Sequence, residues 1–186
     1  MYVGMFISRH KDNRCVLNFQ SRTKMFFMDK EIPAYYKDFK QFVEEGQPGE
    51  MCRFYMSASE RNMEKTQKEL ACRLIREPID FTRLNGIATS IAMKSEQETF
   101  KKWLFDFDCP ITGLMMEFCS ELMDMGFIPK WYLSPNGYSV IIEHGFDIRE
   151  FLDRWNKRLQ QIDPKYSVEL KRNAMVIVDW ETKSAE

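Results

Sequence analysis

From Trp103 to Asp108 the sequence alternates without a break: Trp103, Phe105 and Phe107 are interleaved with Leu104, Asp106 and Asp108. A period of two sends successive side chains to opposite faces of a β-strand. Lys101–Asp108 therefore reads as a strand with one aromatic face and one face bearing two carboxylates. Aspartate is disfavoured in strands, and two like charges on one face repel each other. Such a strand fits a sheet whose aromatic side is covered by helices and whose acidic side is left open, an α+β arrangement.

The segments that follow supply the rest of that sheet. Pro110 and Thr112 open a helix whose apolar stripe is Leu114, Met115, Phe118, Cys119, Leu122 and Met123, and Gly126 ends it. Phe127–Leu133 reads as a strand, Ser134-Pro135-Asn136-Gly137 as a turn, and Tyr138–Glu143 as the returning strand. Asp147 with Glu150 has the form of a capping box. The helix after it carries Phe151, Leu152, Trp155 and Leu159, and Asp163-Pro164 stops it. Ser167–Leu170 and Met175–Trp180 give a final strand or hairpin. The order β-α-β-β-α-β over about residues 101–181 predicts a ferredoxin-like or RRM-like core with spatial strand order 4-1-3-2. The first strand, holding Asp106 and Asp108, then lies between the third and a fourth ending at Asp179. Pro129 falls on the expected edge strand, where proline is tolerated.

Residues 1–100 read as an N-terminal α/β extension packed on this core, the whole chain 1–186 forming one domain. Strands are expected at Tyr2–Ile7 and Cys52–Met56, with a hairpin from Val16–Phe19 and Lys24–Phe27. Helices are expected at Ala34–Glu45 and at Glu64–Arg76, the latter burying Leu70, Leu74 and Ile75. Residues 78–98 have no decided pattern. Gly46-Gln47-Pro48-Gly49 is a joint within the domain.

Composition narrows the function classes. With 44% apolar residues the chain can bury a real core, so a disordered tail is excluded for most of its length. A net charge of −1 excludes a sequence-blind polycation, so any affinity for nucleic acid needs local positive charge. The 13 Met and 15 Phe are read as soft core packing. Five cysteines, an odd number without C-x-x-C spacing, argue against a disulfide framework or a zinc knuckle and predict reduced thiols in a cytoplasm, of a cell or of a phage-infected host. Neither a signal peptide nor a membrane span is expected.

The carboxylate pair is the one constellation with chemical content. A cation between Asp106 and Asp108 would relieve their repulsion, and Mg²⁺ or Mn²⁺ suits oxygen ligands. Two such ions roughly 3.5–4 Å apart are common apparatus for moving phosphoryl or nucleotidyl groups. Asp179, closing the apolar run Val176-Ile177-Val178, is the candidate third carboxylate. Antiparallel pairing beside the first strand leaves open whether it reaches the pair. The plain alternative is that Asp106 and Asp108 only end a strand before Pro110.

Three segments in this order resemble the motifs of the archaeo-eukaryotic primase superfamily, the primase-polymerases: Leu104-Phe105-Asp106-Phe107-Asp108, Leu133-Ser134-Pro135-Asn136-Gly137-Tyr138-Ser139, and Val176-Ile177-Val178-Asp179. Arg53-Phe54-Tyr55-Met56-Ser57 with Arg61 is similar to an upstream basic segment of some members. The resemblance implies that Asp106, Asp108 and Asp179 are catalytic and hold two divalent metals. It also implies that Ser134, Asn136, Gly137, Ser139, Arg53 and Arg61 bind a nucleoside triphosphate. The partners implied are a single-stranded nucleic-acid template and nucleoside triphosphates, with a replication protein such as a helicase, and no membrane. Ser139 stands where the family usually has a histidine; His144 lies an odd number of residues on and points to the other face of a regular strand.

The expectation is thus a nucleotidyltransferase that makes or extends primers. The alternative is a nucleic-acid-binding or nucleotide-binding replication accessory on the same scaffold. A third reading is an interaction domain without chemistry. Lys65, Lys68, Arg73 and Arg76, interleaved with acids, read as a solvated helix face. Lys171-Arg172-Asn173 reads as a surface turn before the last strand, with contact to a phosphate backbone as the alternative; Trp155 reads as core, His10 as a surface residue, and Trp180 as the tryptophan best placed for function.

Overall fold

The computed structural model describes residues 1–184. Its first sheet is built from strands β1 (Tyr2–Ser8), β2 (Arg22–Met28), β3 (Met51–Ser57) and β8 (Met175–Thr182), in the order β2-β1-β3-β8 and antiparallel throughout. Helix α1 (Tyr36–Glu44) follows a 3₁₀ turn at Ile32–Tyr35 and buries Phe39, Phe42 and Val43. These side chains close on Tyr2, Phe6, Cys52 and Phe54 of β1 and β3 to make the first core. Phe6 and Phe54 meet edge to face at 5.0 Å, a favourable aromatic geometry.

Between the two sheets the chain runs through α2 (Met63–Arg76) and α3 (Leu84–Ala92). Asn62 caps α2 through the Lys65 amide. The expected apolar stripe of α2 is not buried: Ile75 is 86% exposed and Thr66 is the buried residue of the helix. Its charged face is the solvated, i,i+4-paired surface the sequence suggested, with Lys68 on Glu64 and Arg73 on Glu77.

The second sheet comprises β4 (Trp103–Asp108), β5 (Lys130–Ser134), β6 (Gly137–Ile142) and β7 (Ser167–Arg172), ordered β5-β6-β4-β7 and again antiparallel. Helices α4 (Thr112–Asp124) and α5 (Arg149–Ile162) cover one face. Phe105 and Phe107 point into that core with Phe118, Phe151, Trp155 and Leu159. Phe118 is its hub, with four aromatic rings at 5.2–5.3 Å. Gly126 ends α4 in the left-handed region at φ +89. The chain is therefore α+β, as the alternation at 103–108 implied, and the open face of the second sheet carries Leu104, Asp106 and Asp108.

Four expectations are corrected. Met175–Thr182 does not lie beside β4. That place is taken by β7, and β8 crosses to pair with β3 in the first sheet. Asn173 makes the exchange possible by turning the chain at φ 50, a conformation asparagine tolerates better than most residues. Residues 16–19 form no strand; β2 pairs with β1 instead. The box at Asp147 and Glu150 does not form, because Asp147 is drawn to the Arg149 side chain and amide and α5 starts without a side-chain cap. The edge strand begins at Lys130, so Pro129 precedes it.

The open face of the second sheet is partly covered by the first. Val176 of β8 packs with Leu104 and Ile141, and Ala58 closes the patch. This apolar seam leaves the acidic part of the open face beside it uncovered, as the floor of a cleft. No helix among the described residues is long and apolar enough to cross a membrane.

Candidate functional site: a cleft between the two sheets

The floor of the cleft follows from strand register. Residues directly opposite in a sheet share a face. Asp106 faces Ser139 on β6 and Glu169 on β7, and Ser139 in turn faces Tyr132 on β5. One row across the open face is thus Tyr132, Ser139, Asp106 and Glu169, with Asp108 next along β4. Lys171 stands opposite Leu104, and its ammonium reaches diagonally to bond the Asp106 carboxylate. Burial pushes the Asp108 carboxyl above its ordinary value, and the neighbouring Asp106 and Glu169 charges push the same way; Lys171 and Lys11 oppose them. Burial by itself would lower Lys171, but the bond to Asp106 and the charges of Asp106, Asp108 and Glu169 raise it, so it stays a cation.

The turn between β5 and β6 forms one wall. Ser134, Pro135 and Asn136 line it. Gly137 does not reach the ligand space; it lets the turn press against β4. A Cβ there would stand 2.1 Å from the Phe107 carbonyl oxygen and 2.7 Å from the Cys109 nitrogen.

The opposite wall comes from the first sheet. Arg53 and Tyr55 alternate with Phe54 on β3, so they face away from the first core and into the cleft, joined by Met175 and Ile177 of β8. The loop after β1 adds Arg9 and Lys11. Asp12 holds both guanidinium groups, accepting from Arg9 Nε at 2.8 Å and from Arg53 Nη2 at 2.6 Å. Arg53 Nη1 also donates to the Tyr55 hydroxyl at 3.3 Å. Asn13 anchors the loop: its amide donates to Ser8, Arg9 and Met51, and its carbonyl accepts from the Met51 amide at 2.6 Å. Two nitrogens on this wall, Nη2 of Arg9 and Nε of Arg53, are buried with no hydrogen-bond partner among the described residues.

The cleft of about 190 Å³ therefore gathers Asp106, Asp108, Ser134, Asn136, Ser139 and Arg53 from the sequence-expected residues. It does not gather Asp179, which stands opposite Phe54 on β8, or Arg61. Arg61 is buried, ion-paired with Glu98 at 3.6 Å, and donates to Asn173 at 2.7 Å, so it braces the turn that redirects β8. Burial lowers the Arg61 guanidinium and raises the Glu98 carboxyl. His144 packs on the Phe127 ring and Trp180 is absent from the cleft lining. Sequence reasoning missed Arg9, Lys11 and Tyr55, and it read Lys171 as part of a surface turn, whereas Lys171 lies within β7. The alternation of Arg53 and Tyr55 with Phe54 was a signal for Tyr55. Arg9 and Lys11 carried none beyond their charge.

Among the described residues no three His, Cys, Asp or Glu side chains gather closely enough to hold a metal by themselves. Asp106 and Asp108 nonetheless fit a divalent ion of the Mg²⁺ type. They are hard oxygen donors, one of them already holds a cation in the form of the Lys171 ammonium, and such ions commonly take only one or two carboxylates with phosphate and water completing the shell. No family model, curated protein or solved structure matches the chain.

Proposed function

We propose that the chain is a primase-polymerase-like nucleotidyltransferase, which makes or extends primers on a single-stranded template and takes its nucleoside triphosphate in the cleft between the sheets. The observation that carries this reading is the meeting, in one cleft, of Asp106 and Asp108 with Arg9, Lys11, Arg53 and Lys171 and with the Ser134–Asn136 turn. Carboxylates alone would repel a triphosphate, and cations alone would have no use for an acidic floor. A phosphate chain carrying divalent metal uses both.

In this reading Asp106 and Asp108 hold Mg²⁺ or Mn²⁺, which when bound neutralises phosphate charge and lowers the barrier to attack by a 3′-hydroxyl. Lys11 and Lys171 offset the remaining phosphate charge, and the Arg9 and Arg53 guanidiniums, held by Asp12, add positive charge from the facing wall. Ser134, Asn136 and Ser139 offer neutral hydrogen bonds that fix the phosphates in place. The 3′-hydroxyl oxygen bonds to the α-phosphorus, its proton goes to solvent or base, and the bond to the leaving pyrophosphate breaks.

A second reading, binding of nucleotide or nucleic acid without transfer, is favoured by two observations: Ser139 at the position where the resembled family has histidine, and Asp179 on another part of the molecule. One experiment separates the two. The full chain is incubated with Mn²⁺, labelled nucleotides and a single-stranded template beside Asp106→Ala and Asp108→Ala. Product from the parent protein and none from either variant supports transfer. No product from any form, with binding of nucleotide or of the single-stranded template kept by the parent, supports the second reading. Failure to bind either nucleotide or template overturns both.

A further inference from the structure

Lys171 is the only cation among the described residues in ion-pair contact with either carboxylate of the floor. On the facing wall, Arg9 and Arg53 are both committed to Asp12. The lysine is on the strand neighbouring Asp106, two residues after Glu169, on a face that carries three carboxylates (Asp106, Asp108, Glu169), and its ammonium bonds Asp106. Its side chain is 48% exposed, so it is free to swing. A divalent ion and this ammonium compete for the same Asp106 oxygen, and a released ammonium is attracted to any phosphate bound beside it.

We propose that Lys171 is a resident counter-cation that makes metal binding and phosphate binding in the cleft depend on each other. Lys171 neutralises Asp106 until a metal-bearing phosphate ligand arrives, then exchanges the carboxylate for the phosphate oxygens. Metal alone has to displace the lysine with nothing to receive it, and so binds weakly. Phosphate alone has to take the lysine from Asp106 and leave an unpaired carboxylate, and so also binds weakly. Together each relieves the other's cost, and the coupling is reciprocal. This inference rests on the reading of Asp106 and Asp108 as metal-binding residues.

The test measures two affinities with the full-length chain and with Lys171→Met: Mn²⁺ alone, from the electron paramagnetic resonance of the free ion, and a non-hydrolysable nucleoside triphosphate in the presence of a chelator. The expected result is a pair of opposite changes in Lys171→Met, Mn²⁺ binding about tenfold tighter and metal-free triphosphate binding about tenfold weaker. Lys171→Arg is expected to stay near the parent in both. A lysine that merely supports the fold would weaken both together, and a melting curve on the same samples detects that case. If Asp106→Asn removes Mn²⁺ binding while Lys171→Met leaves it unchanged or weaker, the counter-cation role is overturned and the metal reading stands. If Asp106→Asn leaves Mn²⁺ binding unchanged, or neither the parent nor Lys171→Met binds Mn²⁺, the metal reading itself falls, and this inference with it.

Discussion

Asp179 stands opposite Phe54 across the β3–β8 ladder, just past the bulge that skips Val178, and its carboxylate accepts from the Trp180 amide at 2.8 Å. Phe54 points into the first core, so this pairing sets Asp179 on the side of the sheet away from Arg53, Tyr55 and the cleft. Asp179→Asn is therefore expected to change Mn²⁺ affinity by no more than about twofold, the scale of a substitution away from the site. Asp106→Asn and Asp108→Asn are expected to cost at least about tenfold each. Calorimetric titration of the three variants checks this, and a large loss in Asp179→Asn would show that β8 moves to bring a third carboxylate to the pair.

Gly137 is needed because its backbone presses on β4, not because of an unusual φ. A methyl group there would overlap the Phe107 carbonyl oxygen and the Cys109 amide, neither of which can turn aside. Gly137→Ala is expected to cost at least about 2 kcal/mol through overpacking, a fall in melting temperature of roughly 4–8 °C for a chain of this size. The same change displaces the Ser134–Asn136 turn, so triphosphate binding should weaken in the fraction that remains folded.

Asn13 is 3% exposed and satisfies the amide of Met51 while holding the loop that presents Arg9 and Lys11. Asn13→Ala leaves that half-buried amide without its partner, at a cost of about 1 kcal/mol. Thermal melts should show the loss. Nucleotide affinity should fall as well, because the two cations lose their platform while Asp106 and Asp108 are untouched.

The raised Asp108 carboxyl gives a pH dependence of fixed sign. Burial, with Asp106 beside it, makes the charged form costly in the folded chain. A carboxyl raised on folding contributes stability that is present at acid pH and lost as pH rises through its folded-state value. Asp108→Asn is therefore expected to melt higher than the parent at neutral pH. The gain should shrink as the pH falls through the raised Asp108 value, where the parent becomes protonated too. Melting curves of both proteins across that range, in a metal-free buffer, check the sign.

Thiol reactivity offers a check on burial itself. Cys52 and Cys119 are buried and pushed up to about 11, chiefly by burial, and Cys109 is raised by the same cause. Cys15 and Cys72 are exposed. Because the thiolate is the reacting form, iodoacetamide at neutral pH should label Cys15 and Cys72 in the native protein. Cys52, Cys109 and Cys119 should react only after unfolding. Mass spectrometry of labelled peptides distinguishes the two sets.

Local pattern carried the second sheet and half of the site. The alternation at 103–108 named the face of Asp106 and Asp108, and the helical stripes of α4 and α5 named what would cover the other face, because side-chain direction repeats with the backbone period of each element. The turn at Ser134–Gly137 was legible for the same reason, since proline and glycine impose their conformations where they stand. Which strand pairs with which is a different matter. The run Val176–Asp179 would suit either sheet, and the choice fell on β3, more than a hundred residues earlier, once the bend at Asn173 and the apolar seam of Val176 on Leu104 and Ile141 were in place. That choice moved Asp179 out of the site and left β7, with Glu169 and Lys171, beside the carboxylates. Arg9, Lys11 and Tyr55 joined them from the far sheet by packing alone. Periodicity reports only where a side chain points from its own strand; the company it keeps depends on burial and pairing summed over the whole chain.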